Sequence, residues 1–530
     1  AARPACGRGG MSAPEPEPAV QAPSAAPRSR RRGAAISLVG GSAGIVLLVV
    51  QGLLLVPLYL HYLGAGPYGA WLASGEVLGW LAVLDLGIVG ISSQRMAAAH
   101  GRGDHRVVAD YFGTGVLLQG VLAAGIVLLA FVAAPFVPQW VRLTGPAAAE
   151  LSACFAVAGL ATGLGLMANV VSALALSTQR MLFVNAVTVG AGVAGLLTTV
   201  GLLVTGHGLW ALALGLVVRS GTLLLAVSAH AVYVLRHDLK MRARLHGPTA
   251  REYMGLSGVA VLTMVGNTAA NRSDALLIAL FAGPETVTLY VLTRRAAEML
   301  SMFLARIGGA VYPGFAHLVG SGSHERAGVV AGQVARLYFW LAIPAMALYM
   351  ALNRSFMALW VGPAQFGGQS LTVLVGLNVL IVGWASLVLY VNGAAGNIAR
   401  AGVAVFVEAV ARVGAAAALL SVAGMRGLPA AGVVTAAVSA HVALGWLYRS
   451  LRLPRPGIPL RQTAFAVLLL AAGAAAGTVR WGHSWPQFVA WGALFSAIAG
   501  AAVLAFEPAA RGIAGQVRAR LRGRAGAAAG

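Results

Sequence analysis

Cysteine is nearly missing from the 530 residues: Cys6 and Cys154 are the two present. Cys6 lies in a Pro/Ala/Arg-rich leader and Cys154 in an apolar run, which excludes a disulfide framework. Lysine is scarcer still. Lys240 is the one lysine among 37 Lys+Arg, which reads as codon bias without functional content. It follows Asp238-Leu239, and no G-x-x-x-x-G-K-[ST] run exists, so the chain carries no P-loop with which to drive ATP hydrolysis. Neither C-x-x-C nor H-E-x-x-H occurs, and no metal or other cofactor is expected. Charge of either sign is sparse. Only 10% of residues are charged, against about 25% in soluble domains, too few to cover a water-exposed surface of this size.

What is present is apolar. Hydrophobic residues make up 59% and the mean hydropathy is +0.81. The fold class is therefore all-α, a polytopic membrane protein, because helices satisfy every backbone group inside a bilayer. The net charge is +22, with 15 acidic residues. A basic chain can hold nucleic acid, but here the arginines sit in short runs between apolar spans, as in cytoplasmic loops. No nucleic-acid partner is expected.

Fourteen spans are predicted, at about 36–60, 70–92, 108–135, 149–175, 181–205, 208–235, 253–282, 286–316, 328–352, 370–394, 397–422, 428–450, 462–480 and 487–507. Each is long enough for a hydrocarbon core of ~30 Å. The Arg28–Arg32 run before the first span looks like a signal peptide, but that apolar stretch is too long for one. Met11 reads as a start, with residues 1–10 an upstream extension. With the N-terminus inside, 26 Lys/Arg fall on the cytoplasmic side, four outside (Arg142, Arg354, Arg426, Arg480) and seven within spans. This asymmetry predicts a cytoplasmic-membrane protein with both termini cytoplasmic.

The expected organisation is a disordered basic tail (1–35), a lobe of spans 1–6 (36–235), a cytoplasmic linker (236–252), a second lobe of spans 7–12 (253–450), two further helices (451–507) and a basic tail (508–530). The lobes read as parallel repeats. Gly66-Pro67 aligns with Gly283-Pro284 at an offset of 217, Arg180 with Arg400 at 220, and Gly208-Leu209 with Gly427-Leu428 at 219. Six-span repeats keep their orientation and pack about an axis normal to the membrane, with a cavity between them.

Ionisable groups inside a bilayer cost roughly 2.5–3.5 kcal/mol each on insertion scales and need a reason. Seven arginines and five acids lie within spans, implying a hydrated interior. On span 7, Thr263, Asn267, Asn271 and Asp274 step by 4, 4 and 3 and share a helical face, with Arg272 beside them. Polar glue between helices and a cavity lining both fit; the lining is preferred. On span 8, Arg295, Glu298, Met302 and Arg306 share a face, and Arg294 stands four residues before Glu298. A salt-bridge ladder is one reading. Because Glu298 satisfies only one arginine fully, an anionic ligand is the preferred one. Arg294, Arg295, Arg306, Asn267, Asn271 and Arg272 are thus candidate substrate contacts. Asp274, Glu298, Asp85 and Glu76 are candidate coupling or gating groups. Glu408 and Arg412, an i,i+4 pair on span 11, read as mutually neutralised.

Several motifs then fall in order. Span 1 ends Pro57-Leu58-Tyr59-Leu60, followed by Leu63-Gly64-Ala65-Gly66-Pro67-Tyr68-Gly69-Ala70-Trp71. Span 2 ends Leu84-Asp85-Leu86-Gly87-Ile88, then Arg95 and Gly101-Arg102-Gly103-Asp104. Span 7 places Asp274 before a Leu-rich run to Gly283, with Tyr290 and Arg295 after it; span 9 leads to Leu359-Trp360-Val361-Gly362. Over about 36–450 the chain resembles the Wzx-type polysaccharide flippases of the MOP exporter superfamily. The resemblance implies two six-helix lobes plus two C-terminal helices, and translocation of undecaprenyl-pyrophosphate-linked sugar units. It matches Asp85, Asp274 and Arg295 to the family pattern. It implies a lipid-linked oligosaccharide substrate and membrane lipids as partners, with a coupling ion (H+ or Na+) and polysaccharide polymerase or assembly proteins as further candidates.

Three other functions compete. A lipid II flippase shares the superfamily. A cation-coupled multidrug exporter calls for a net acidic, aromatic cavity, unlike seven arginines against five acids. A membrane glycosyltransferase needs acidic residues on sizeable external loops, where this chain has little beyond Glu150 and Glu285. The chain is therefore read as a transporter and not an enzyme.

Overall fold

The computed structural model describes residues 51–85, 87–454 and 460–506, and no strand occurs among them. The first half runs α1 (Gln51–Leu63), α2 (Ala65–Leu81), α3 (Ile88–Gly101), α4 (His105–Ala133), the short α5 (Val137–Trp140), α6 (Pro146–Ser177), α7 (Met181–Val204) and α8 (Trp210–Tyr233). The second runs α9 (Gly247–Asn271), α10 (Asp274–Ala282), α11 (Pro284–Gly320), α12 (His324–Trp360), α13 (Gln369–Ala394), α14 (Ile398–Ala423) and α15 (Gly427–Ser450). Two more helices follow, α16 (Leu460–Ala476) and α17 (Trp485–Phe506). Both tails and most of the expected first span lie outside the described residues.

Nine helices among the described residues are long and apolar enough to cross a membrane, counting α14 and α15 as one. They account for ten of the fourteen predicted spans. The first is seen from Gln51 onward, and the thirteenth is the shorter α16. The remaining two are broken, which periodicity alone did not predict. Span 2 divides into α2 and α3 through a 3-10 turn at Ala82–Asp85 and left-handed Gly87. Span 7 divides into α9 and α10 at Arg272-Ser273, where three consecutive polar residues, Asn271 to Ser273, interrupt the apolar run.

Within the first half, α6 packs against α3, α4 and α8, and α7 against α8. Within the second, α13 packs against α11 and α15, and α14 against α9 and α15. α16 and α17 lie on α12. Interiors are lined by alanine and glycine, as expected where lipid supplies no hydrophobic drive and close backbone approach holds helices together. α2 meets α11 across the halves. A Cβ at Gly69 would overlap the Pro284 carbonyl oxygen, and Thr288 Oγ1 donates to the Ala65 carbonyl at 2.7 Å.

The turns mark equivalent points of the two halves. Gly64 (φ 80°, ψ 169°) begins α2, and Gly283 (φ 84°, ψ 167°), 219 positions later, begins α11. Gly103 and Gly322, again 219 apart, share φ of 76° and 73° before α4 and α12. The sequence alignment on Gly66-Pro67 is therefore corrected by two residues: the equivalent glycine is Gly64, chosen by backbone conformation. Gln179 (φ 62°) and Gly396 (φ 89°) precede α7 and α14 at 217, so Arg180 aligns with Asn397 and not with Arg400.

Candidate functional site

The break in span 7 builds the site. α10 begins at Asp274, and its carboxylate is 5% exposed. Arg294 Nη1 of α11 donates to Asp274 Oδ2 at 2.6 Å, the Tyr290 hydroxyl donates to the same oxygen at 3.0 Å, and Arg412 Nη2 of α14 reaches it at 3.3 Å. Arg294 also packs over the Tyr290 ring, 5.2 Å from its centroid. Its Nε meets Glu298 Oε1 at 2.7 Å, while Glu298 Oε2 lies 3.6 Å from Arg295 Nη1. Two carboxylates and three guanidiniums thus form one chain of ion pairs across α10, α11 and α14. Removing one partner of a buried pair in it would leave the other charge uncompensated.

The break also exposes backbone groups, and α2 satisfies them. Glu76 Oε2 accepts from the Leu276 amide at 2.9 Å, capping the α10 N-terminus from another helix. One turn on, Trp80 Nε1 donates to the Arg272 carbonyl at 3.1 Å. Gly79, between them, leaves room for the Arg272 side chain, which would lie 3.2 Å from a Cβ there.

The predicted residues separate into three groups. Arg294, Arg295, Glu298 and Asp274 come together. Asn267, Asn271 and Arg272 are exposed and line a groove of about 610 Å³ between α9 and the start of α14. The expected common face of Asn267, Asn271 and Asp274 is corrected, because the break buries Asp274 and leaves the asparagines on the groove. Arg306 remains on α11, exposed, eleven residues beyond Arg295 and with no ion pair among the described residues. Asp85 stands apart in the turn between α2 and α3, 7% exposed beside Gln119 of α4. Its Oδ1 has no hydrogen-bond partner among the described residues. Glu76 is a helix cap.

Two arginines take partners that the sequence did not assign. Arg294, a candidate substrate contact, bonds Asp274 and Tyr290 through Nη1 and Glu298 through Nε. Arg412, read as neutralised by Glu408, is 5% exposed and joined to Asp274. Sequence reasoning missed Arg412 and Tyr290 as members of the site. Tyr290 stands four residues before Arg294, a spacing that signals contact. Nothing in the sequence signals the approach of α14 to α10.

Comparison with solved structures decides the fold. The lipid II flippase MurJ in an inward closed conformation superposes with a TM-score of 0.66 at 9% identity, covering 89% of this chain and 97% of that one. An inward-facing multidrug resistance MATE family transporter of the MOP superfamily gives 0.61 at 12% identity, covering 77% and 98%. The chain has the MOP-superfamily fold. An outward-facing MATE transporter of the superfamily gives 0.56 at 14% identity, covering 79% and 95%. Residues 107–364 match the family described as polysaccharide biosynthesis protein, which spans α4 through α12 of the MOP fold. No curated protein sequence matches the chain. The protein is accordingly a multi-pass membrane protein, and its ion-pair cluster sits where the α9–α10 break of this MOP fold meets α11 and α14.

Proposed function

We propose that the protein flips undecaprenyl-pyrophosphate-linked oligosaccharide units across the cytoplasmic membrane by alternating access, for export of a surface polysaccharide. The observation that carries this reading is the excess of exposed guanidinium at the α9–α10 break and along α11. Arg272 and Arg306 are exposed, and Arg295 is 30% exposed and shares Glu298 with Arg294. A pyrophosphate is best held by such fork-shaped donors, whereas a cationic drug is repelled by them. The match of residues 107–364 to the polysaccharide biosynthesis family supports the same substrate class.

In this reading Arg295 takes the pyrophosphate and Arg306, about 16 Å along α11, meets the sugars. Arg272, Asn267 and Asn271 serve as further sugar contacts. Asp274 and Arg294 act as positioning residues that fix α10 against α11. The two halves meet along α2, which packs on α10 and α11 at Glu76–Leu276 and Gly69–Pro284, and again where α9 approaches α3 and α4. There Arg95 pairs with Glu252 at 2.5 Å, and Tyr253 shares a hydrogen bond with Ser92 at 2.7 Å. Alternating access releases one contact while the other holds, driven by an ion gradient, the membrane potential or removal of product.

The test is reconstitution. Liposomes holding a fluorescent undecaprenyl-pyrophosphate oligosaccharide are expected to show protein-dependent loss of the inner-leaflet pool. Equal flipping of lipid II, or transport of a cationic dye in place of the sugar lipid, would contradict the assignment.

A further inference from the structure

We propose that the end of α14 and α15 carries a binding site for an anionic phospholipid, separate from the ion-pair cluster. Arg400 in the first turn of α14 and Arg449 in the last turn of α15 converge, with Trp446 and Ser450, on a pocket of about 410 Å³. Neither arginine has an ion pair among the described residues, and both are exposed. From 395 to 461 the one acidic residue is Glu408, eight residues and about 12 Å along α14 from Arg400. Arg400 also stands at the positive end of its helix, where the dipole favours an anion and not a cation. The pocket therefore concentrates positive charge with no acidic residue among its described lining residues.

The first half shows what this end looks like when it is neutralised. Arg180, at the start of α7, pairs with Asp238 in the π-helical turn Val234–Asp238 that follows α8, and lies over the Tyr233 ring. In the second half the positions equivalent to Asp238, 455–457 at offsets of 217–219, hold no acidic residue, and the pocket is lined by two arginines, Arg400 and Arg449. An external anion fills the missing place.

The surface below the pocket selects a lipid over a free ion. On α14, Val403, Val407 and Val410 follow Arg400 on the same helical face at steps of 3, 4 and 3, each 47–58% exposed. On α15, Val442, Val438 and Val434 lead back from Arg449 at steps of 7, 4 and 4, each 41–62% exposed. Each arginine thus heads an apolar lane. A phosphate between the guanidiniums would leave its acyl chains on the valines, with Trp446 at the headgroup level where aromatic rings sit.

The full chain in nanodiscs tests this by native mass spectrometry and melting temperature, with phosphatidylglycerol titrated into a phosphatidylcholine background. Wild type is expected to retain phosphatidylglycerol and to melt higher with it. Arg400→Gln/Arg449→Gln is expected to lose about thirtyfold in that affinity, at roughly fivefold per arginine, while melting normally in phosphatidylcholine alone. Should the double variant fail to fold, each single variant is expected to lose about fivefold. Unchanged phosphatidylglycerol retention in these variants overturns the site. If inorganic phosphate raises the wild-type melting temperature as phosphatidylglycerol does, the pocket is a phosphate site and the lipid assignment falls.

Discussion

Glu76 and Trp80 lie one turn apart on α2 and hold the two sides of one helix break: Glu76 accepts from the Leu276 amide of α10, and Trp80 donates to the Arg272 carbonyl at the end of α9. Both partners belong to the second half of the chain. A break in a spanning helix leaves amides and carbonyls that lipid cannot satisfy, so the first half supplies what the break needs. The break in turn sets Asp274 between Arg294 and Arg412.

The cap predicts a graded response at Glu76. Glu76→Gln keeps an acceptor oxygen for the Leu276 amide and is expected to melt close to wild type. Glu76→Ala removes it and is expected to cost about 0.5–2 kcal/mol, the range of a lost N-cap. Thermal denaturation of the purified variants decides; equal melting of Ala and Gln variants would remove the capping role.

Much of this was legible in the sequence, and the misses share a cause. Helix positions and the charged face of α11 follow from hydropathy and helical phase, which are local. Asp274, Arg294 and Glu298 were recognisable because an ionisable group inside a span always demands a partner. The partner's identity was not recognisable when it came from a distant helix. Glu408 is the nearest acid in sequence to Arg412, yet the guanidinium reaches Asp274, 138 residues away. The breaks at 82–87 and 272–273 were hidden for a related reason. Their cost depends on whether another helix caps them, and Glu76 and Trp80 act across about 200 residues.

Asp274 is buried between two guanidiniums, so Asp274→Asn is expected to do more than slow transport. It leaves Arg294 and Arg412 short of charge in a buried site, a loss of about 3–5 kcal/mol when one partner of a buried pair is removed. Adding Arg412→Met is expected to restore part of it. Melting temperatures of the two single variants and the double variant give the coupling; strictly additive losses would show that Asp274 and Arg412 do not interact.

Gly69 predicts a steric switch. A methyl group there would overlap the Pro284 carbonyl and stand 2.6 Å from Thr288 Oγ1, so Gly69→Ala is expected to force α2 from α11. Thr288 is fully buried. A cysteine at 288 is therefore expected to resist maleimide in the wild-type background and to label readily beside Gly69→Ala. Gly75→Ala, with nothing within 4 Å of its Cβ, is the control. Equal labelling in all three would show that Gly69 does not hold this contact closed.

Arg295 separates substrate capture from scaffolding. It is the least committed arginine of the cluster, 3.6 Å from a Glu298 that already bonds Arg294 at 2.7 Å. Its Nε has no hydrogen-bond partner among the described residues, and Gly52 of α1 gives it room, since a Cβ there would overlap the guanidinium. Removing it leaves Asp274, Arg294 and Arg412 paired. Arg295→Ala is thus expected to change melting by less than Asp274→Asn while abolishing sugar-lipid flipping. Arg295→Lys keeps the charge but loses the two-pronged geometry that matches a phosphate, so it is expected to recover only part of the activity. Arg306→Ala, with no ion pair to lose among the described residues, is expected to leave melting unchanged and to depend more on which glycan is carried. Binding of the pyrophosphate-linked sugar and thermal stability, measured on the same purified variants, distinguish the roles. Normal binding by an Arg295→Ala protein that has lost stability would make Arg295 a rung of the ladder and end its assignment to the substrate.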